Sequence, residues 1–403
     1  MLNRIEDRVT RGERLNHDEG VYLLTEAPLI ELGALANEAR ARRTDPRIVT
    51  YVIDTNPNYT NWCTVDCHFC AFYRNPKKPA ADGYTHDVEG VMAMMENARG
   101  LGATTVLLQG GLNPEIPWKF YTDIVREARR RYPEITPHFF SAPEIHQMAE
   151  VSGLSLRGVL EALHEAGQRT LPGGGAEILA TRVRKRISVK KGGPEAWLDV
   201  HAQAHAVGMR STATMMYGHV ETPDEVVEHF DHIRALQDET GGFTAFVPWS
   251  YKRGNTPMES KVPFIAGASQ YFRILAASRL YLDNFQHIQA SWFSEGKKTG
   301  QMSLHFGADD FGCTLFEENV HLATGHVNKT TVAEIETLIR ESGFTPAQRT
   351  TLYEILRVGE GPEALAHLSD EVPLFIESLR ELPAEYPVEL EGEDPGDTLI
   401  MPR

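Results

Sequence analysis

Cysteine is scarce in this chain, with four in 403 residues, and three of those fall within eight consecutive positions. That distribution excludes a secreted disulfide framework. Long apolar runs are missing too: no window approaches the roughly 18 to 20 residues of a membrane span. Positive charge is in deficit, 40 Lys+Arg against 56 Asp+Glu for a net of −16 at pH 7. This argues against a nucleic acid or an anionic membrane as the main partner. The first twenty residues are strongly charged and contain no apolar signal stretch, so a reducing, cytoplasmic setting is expected. What is present is a 41% hydrophobic complement, enough for a substantial core.

The chain alternates between two periodicities. Residues 1–47 read as a charged helical extension, with apolar positions between Leu23 and Leu35 interrupted by Pro28. Strand-like runs follow at 48–54, 104–109, 136–140, 168–171, 211–216, 243–249, 285–291 and 302–306. Helix-like stretches at 88–99, 121–132, 156–166, 195–207, 225–239 and 266–282 separate them. Eight strands alternating with helices predict an α/β fold, a (β/α)8 TIM-type barrel over residues 48–328. Beyond it, helical patterns at 331–342, 346–357 and 362–369 lead to an acidic, proline-rich tail over 382–403 of expected low order. Residues 329–403 thus read as a C-terminal helical extension and tail. With no sequence repeat or low-complexity linker, one domain with terminal extensions is the simpler organisation.

The three clustered cysteines stand as Cys63-x3-Cys67-x2-Cys70, directly after the first strand-like run. Thiolates so spaced suit three irons of a cubane cluster, leaving the fourth iron open to a ligand. Structural zinc needs four closed ligands, and no second Cys pair exists; Cys313 is distant and reads as a small buried thiol. Active groups of such barrels gather at strand C-termini. There lie Gln109-Gly110-Gly111, Ser141-Ala142-Pro143-Glu144, Gly173-Gly174-Gly175-Ala176-Glu177, Tyr217-Gly218-His219, Pro248-Trp249 and Gly307-Ala308-Asp309-Asp310. Gly110-Gly111 reads either as a tight turn or as bare backbone meeting a ligand. Glu177 and Arg182 read as a surface ion pair or as ligand contacts.

Cys-x3-Cys-x2-Cys with an aromatic, Phe69, before the last cysteine resembles the signature of the radical S-adenosylmethionine superfamily. The resemblance implies a [4Fe–4S] cluster on Cys63, Cys67 and Cys70, with S-adenosylmethionine on the open iron. It further implies Phe69, Gly110, Gly111, Ser141, Glu177 and Arg182 as cofactor contacts, Arg182 pairing with the carboxylate. Asn58-Tyr59-Thr60-Asn61, Phe72-Tyr73-Arg74, Thr214 through Thr222, Phe246-Val247-Pro248-Trp249 and Gly307 through Gly312 resemble the futalosine-pathway enzymes of menaquinone biosynthesis. Among these the likeness is greatest to the cyclases of dehypoxanthine futalosine. That family draws electrons from an external donor such as a flavodoxin or ferredoxin and takes hydrogen from the ribose C4′ of a small-molecule substrate. Tyr73, His219 and Asp310 are the expected catalytic groups, with Asp309, His305 and Glu318 as further polar candidates and Arg74 as a benzoate partner. Each also has a reading as a structural hydrogen-bonder. Aminofutalosine synthesis in the same family, or a non-catalytic metal-binding or redox-sensing role for the thiolates, are the competing functions.

Overall fold

A computed structural model of the protein describes residues 1–362 apart from Pro79. The tail over 382–403, and the helix expected at 362–369 beyond its first residue, lie outside the described residues. Within them no helix is long and apolar enough to cross a membrane.

The β-branched and aromatic run Ile48–Val52 forms β1, and after a break at Ile53 the chain continues as β2, Asp54–Thr55. Next come β3 (Thr105–Leu108), β4 (Thr136–Phe139), β5 (Thr170–Leu171), β6 (Arg210–Tyr217), β7 (Phe243–Ser250), β8 (His287–Ile288) and β9 (Asp310–Cys313). The last two strands are β10 (Thr345–Arg349) and β11 (Ile355–Val358). All pairings among β1 to β10 are parallel, and β10–β11 is antiparallel. Helices Val88–Gly100, Trp118–Arg131, Leu156–Ala166, Pro194–Ala206, Pro223–Thr240 and Ala268–Tyr281 lie between the strands, close to the stretches expected.

The ladder does not close into an uninterrupted eight-stranded barrel. Three sheets, β11-β10-β1-β9, β2-β3-β4 and β5-β6-β7-β8, surround one cavity. Side chains span the seam between β4 and β5: Gln168 Nε2 donates to the Phe139 carbonyl at 2.8 Å, and His138 Nδ1 meets Thr170 Oγ1 at 2.8 Å. At the other seam a single bridge, Gln289 to Asp310, joins the end of β8 to β9.

Two expectations are corrected. The run at 302–306, expected as the eighth strand, is the end of helix Lys297–Ser303 and a turn; the strand is β9, several residues later. Gly312, at φ +101°, allows a register shift beside β1, and a Cβ there would stand 2.8 Å from the Ala290 carbonyl oxygen. The second correction falls on 346–357, expected helical. This segment forms the β10–β11 hairpin, because the lower half of β1 leaves an edge that β10 fills in parallel from Ile48–Thr345 to Tyr51–Gln348.

The N-terminal expectation of helix holds: Leu2–Thr10, His17–Thr25 and Leu29–Ala41, with Pro28 capping the last. These pack on the outer helices where small residues permit contact. A Cβ at Gly20 would lie 2.7 Å from the Tyr281 ring, and one at Gly33 2.5 Å from the Phe306 ring.

Candidate active site

Residues from nearly every strand line a cavity of about 220 Å³. Val52 and Asp54 come from the first strand run, Thr105 and Leu107 from β3, His138 from β4, and Thr212 and Thr214 from β6. Val247 and Trp249 of β7 and Cys313 of β9 complete the wall, and the Gly173-Gly174-Gly175 loop and Glu177 follow β5. The hairpin contributes Arg349, Thr351 and Tyr353, with Thr105 Oγ1 and Thr351 Oγ1 2.6 Å apart. Trp249, Phe293 and His321 form an aromatic wall: the His321 ring is 5.5 Å from Trp249 and 5.4 Å from Phe293, nearly parallel to the latter.

Each glycine after β5 answers a steric demand. A Cβ on Gly173 would meet the Thr212 carbonyl oxygen at 2.5 Å, one on Gly174 would meet Gln109 Nε2 at 2.3 Å, and Gly175 sits at φ +90°. Glu177 then adopts φ 46°, a conformation uncommon for a non-glycine and frequent at functional sites. Its Oε1 accepts from Lys191 Nζ at 2.9 Å, whereas Oε2 is buried without a hydrogen-bond partner, 3.6 Å from the Arg184 guanidinium.

The cysteine loop is built against this corner. Gly110 and Gly111 admit it: a Cβ on Gly111 would lie 2.2 Å from the Trp62 carbonyl oxygen and 3.0 Å from Cys63 Cβ. The close approach the glycine pair permits is therefore to the loop itself. The Gly111 amide donates to Thr60, and the Gly110 amide to Glu144, a buried carboxylate that also receives the hydroxyls of Tyr59 and Ser141.

Lys191 joins the pieces, with its ammonium over the Phe69 ring at 5.1 Å and bonded to Glu177. Burial disfavours the ammonium, but negative charge on the Cys67 thiolate and on Glu177 outweighs it and raises Lys191 above the ordinary lysine value. Burial pushes the Cys67 thiol up to about 12 and raises those of Cys63 and Cys70, so ionisation of the three requires a cation. Among the described residues no three His, Cys, Asp or Glu side chains form a preformed metal cage. The loop has the donor set of a three-thiolate iron site. Cys313 is buried on β9 and lines the cavity.

Other expected residues fall elsewhere. Arg182 points outward, donating from Nε to Glu225 at 2.6 Å and from Nη2 to the Val220 carbonyl at 2.7 Å; Arg184 is the arginine beside Glu177. His219 is enclosed, with Nε2 bonded to the Met216 carbonyl and Nδ1 accepting the Val220 amide. Asp310 opens β9 instead of following the last strand, and its carboxylate is held by Arg349 and Thr50 in full burial. Asp309 is tied to Arg279 and His287, and His305 lies tilted against Phe344 outside the cavity. Arg74 pairs with the exposed Asp82, and both it and Tyr73 lie outside the cavity lining, Tyr73 on the cysteine loop.

Of the expected polar groups Glu318 does line the cavity, accepting from Asn56 and from the Val320 and His321 amides. Sequence reasoning missed Asp54. Its Oδ1 accepts the Leu315 amide at 2.9 Å while the carboxylate faces the cavity, and burial pushes its pKa up to about 7. His321 was missed as well: burial pulls it down to about 3, so it is neutral, and Nδ1 is unpaired.

A barrel-like cavity beside a three-thiolate loop defines a class of iron–sulfur barrel enzyme. Residues 57–233 match the radical SAM superfamily, and residues 240–361 match the CofH/MqnC C-terminal region. The chain is 41% identical to a cyclic dehypoxanthine futalosine synthase of Halalkalibacterium halodurans over 90% of its length and 97% of that protein. It is 36% identical to an aminodeoxyfutalosine synthase of Streptomyces coelicolor, over 90% and 96% of the two chains. With a 5-amino-6-(D-ribitylamino)uracil–L-tyrosine 4-hydroxyphenyl transferase of Methanosarcina barkeri the identity is 40%, over 89% and 96%. Among solved structures, methylornithine synthase superposes with a TM-score of 0.66 at 15% identity, covering 85% of this chain and 97% of that one. The chain belongs to the CofH/MqnC family of radical S-adenosylmethionine enzymes. A [4Fe–4S] cluster and S-adenosylmethionine are accordingly its cofactors.

Proposed function

We propose that this enzyme cyclises dehypoxanthine futalosine, taking hydrogen from ribose C4′ and joining that carbon to the benzoate ring. The observation that carries the reading is the single cavity in which an aryl-binding wall, Trp249, Phe293 and His321, shares space with the Gly173–Gly175 loop and Glu177. Identities of 41% and 39% to two cyclic dehypoxanthine futalosine synthases support the choice of substrate.

Cys63, Cys67 and Cys70 would hold the cluster, and Phe69, Glu177, Lys191 and Arg184 would bound S-adenosylmethionine beside it, with Gly110, Gly111 and Ser141 shaping that wall. When bound, the pair supplies one-electron reductive cleavage and hydrogen-atom abstraction. The chain's residues do the rest. Asn56, whose Oδ1 has no partner, and Glu318 offer acceptors to sugar hydroxyls. The β10–β11 hairpin, through Arg349, Thr351 and Tyr353, closes the cavity floor against water. Bond formation leaves the attacked ring carbon with a hydrogen that must depart as a proton, together with one electron to a one-electron acceptor. Asp54, whose carboxyl lies near its midpoint at neutral pH, takes that proton.

The test is one anaerobic turnover series on reconstituted enzyme, with products identified by mass spectrometry. Dehypoxanthine futalosine is expected to give 5′-deoxyadenosine and a product lighter by a pair of hydrogens. Conversion instead of an enolpyruvyl ether to an aminofutalosine, or of 5-amino-6-(D-ribitylamino)uracil with tyrosine, would overturn the assignment.

A further inference from the structure

The chain as a whole is acidic, yet residues 178–194 hold six basic side chains and no acidic one. Helix Thr181–Ile187 sorts them. Val183, Arg184 and Ile187 are buried, and Lys185 and Arg186 face solvent. Val189, 65% exposed, and Lys190 continue the outer face. This face abuts the tip of the cysteine loop: the His68 amide donates to the Ile187 carbonyl at 2.8 Å. On the other side of His68 its carbonyl accepts the Met258 amide at 2.9 Å. The segment that follows carries exposed Lys261, Phe264 (82%) and Ile265 (63%). His68 itself, next to Cys67, is exposed. Lys185, Arg186 and Lys261 form no ion pair with any described residue, and the exposed Lys190–Asp66 pair is screened.

We propose that these two flanks of His68 form the docking surface for an acidic one-electron carrier protein. Large exposed apolar side chains beside unpaired cations are the anatomy of a protein-binding patch. A cluster of unpaired positive charge on a chain of net −16 steers an anionic partner to that cluster. The patch lies over the cysteine loop, where an electron must enter, and Arg184 and Lys191 beneath it are turned inward to Glu177. The proposal rests on the need for an external reductant but not on which substrate the enzyme converts.

The experiment compares an acidic flavodoxin with dithionite as reductants of the reconstituted full chain, reading 5′-deoxyadenosine and the electron paramagnetic resonance signal of the reduced cluster. Lys185→Glu/Arg186→Glu is expected to raise the half-saturating flavodoxin concentration about tenfold, with dithionite-driven cleavage unchanged. Phe264→Ser, which alters no charge, is expected to raise it less and to leave its salt dependence intact. Wild-type half-saturation should climb with ionic strength, and that of the double variant should not. An unchanged flavodoxin response in both variants would overturn the proposal. So would loss of tRNA or anionic-vesicle binding in the double variant with flavodoxin reduction intact. Failure to convert dehypoxanthine futalosine would touch only the substrate assignment, since cluster reduction is read independently.

Discussion

The upper corner of the cavity, around Glu177 and the cysteine loop, differs sharply from its floor at the β10–β11 hairpin. On the floor every buried charge of the hairpin and β9 is answered, and only the Tyr353 hydroxyl there lacks a partner among the described residues. Arg349 clasps Asp310, which also receives Thr50, and Arg279 clasps Asp309, which also receives His287 and the Ile288 amide. At the corner Glu177 sits at positive φ with a bare oxygen, and elsewhere on the cavity wall Asn56 Oδ1 and His321 Nδ1 lack partners and Asp54 is desolvated. Both regions are polar and buried, so burial alone does not mark function. Satisfied charges hold the walls together, and the unsatisfied polar groups around the cavity are left for a ligand.

The sharpest way to break this contrast is at the cysteines. Cys67→Ala should abolish the cluster's visible absorbance and S-adenosylmethionine cleavage while the apo-protein melts within about 1 kcal/mol of wild type. On the floor the effect should reverse, with stability lost first. Arg349→Met leaves Asp310 buried and unpaired, and is expected to cost about 3–5 kcal/mol in chemical denaturation. Arg349→Met combined with Asp310→Leu should recover much of that loss. A single variant as stable as wild type would show the floor to be no more satisfied than the corner.

Asp54→Asn separates catalysis from stability. Turnover should fall about 10²–10⁴-fold, and the alkaline-rising limb of the rate near pH 7 should disappear with it. Stability should move the other way. The carboxyl titrates at about 7 in the fold and near 3.9 when unfolded. Between those values the folded chain keeps a proton the unfolded chain has lost, so stability falls as pH rises through the window. The variant should therefore melt higher than wild type above pH 7, by at most about 4 kcal/mol, and match it near pH 4. A pH-independent difference would remove Asp54 from the group of desolvated, waiting acids.

The sequence made the contrast only half legible. The cysteine loop, the triple glycine and the alternation of strands were readable because each depends on local spacing. The floor was not. Residues 346–357 contain good helix formers, and only the free edge of β1, about three hundred residues earlier, makes a strand of 345–349. The strand Asp310–Cys313 hid behind an acidic residue and a glycine, while the apolar alternation of 302–306 belonged to a helix end. Asp310 and His219 were misplaced for the same reason: a polar residue near a glycine looks alike whether it meets substrate or an arginine from a distant element. The Arg182–Arg184 choice, by contrast, was available. Ala180, Val183 and Ile187 define the buried stripe of that helix, and Arg184 falls on it while Arg182 does not.

That choice yields the smallest predicted effects and the finest test of the comparison. Glu177→Gln keeps the size of the side chain and removes the charge facing Lys191 and Arg184. It should weaken S-adenosylmethionine binding about 10- to 100-fold, the worth of a charged hydrogen bond, by calorimetry on the cluster-loaded protein. Arg182→Ala breaks a pair with Glu225 that is 41% exposed on the arginine side, so it should shift stability by no more than about 1 kcal/mol. It should leave the cofactor's affinity within about twofold, since an exposed pair contributes little even to its own partner. If Arg182→Ala instead matched Glu177→Gln in lost affinity, the outward guanidinium would have to swing from Glu225 to the cofactor on binding. The division between satisfied and waiting charges would then describe the free enzyme alone.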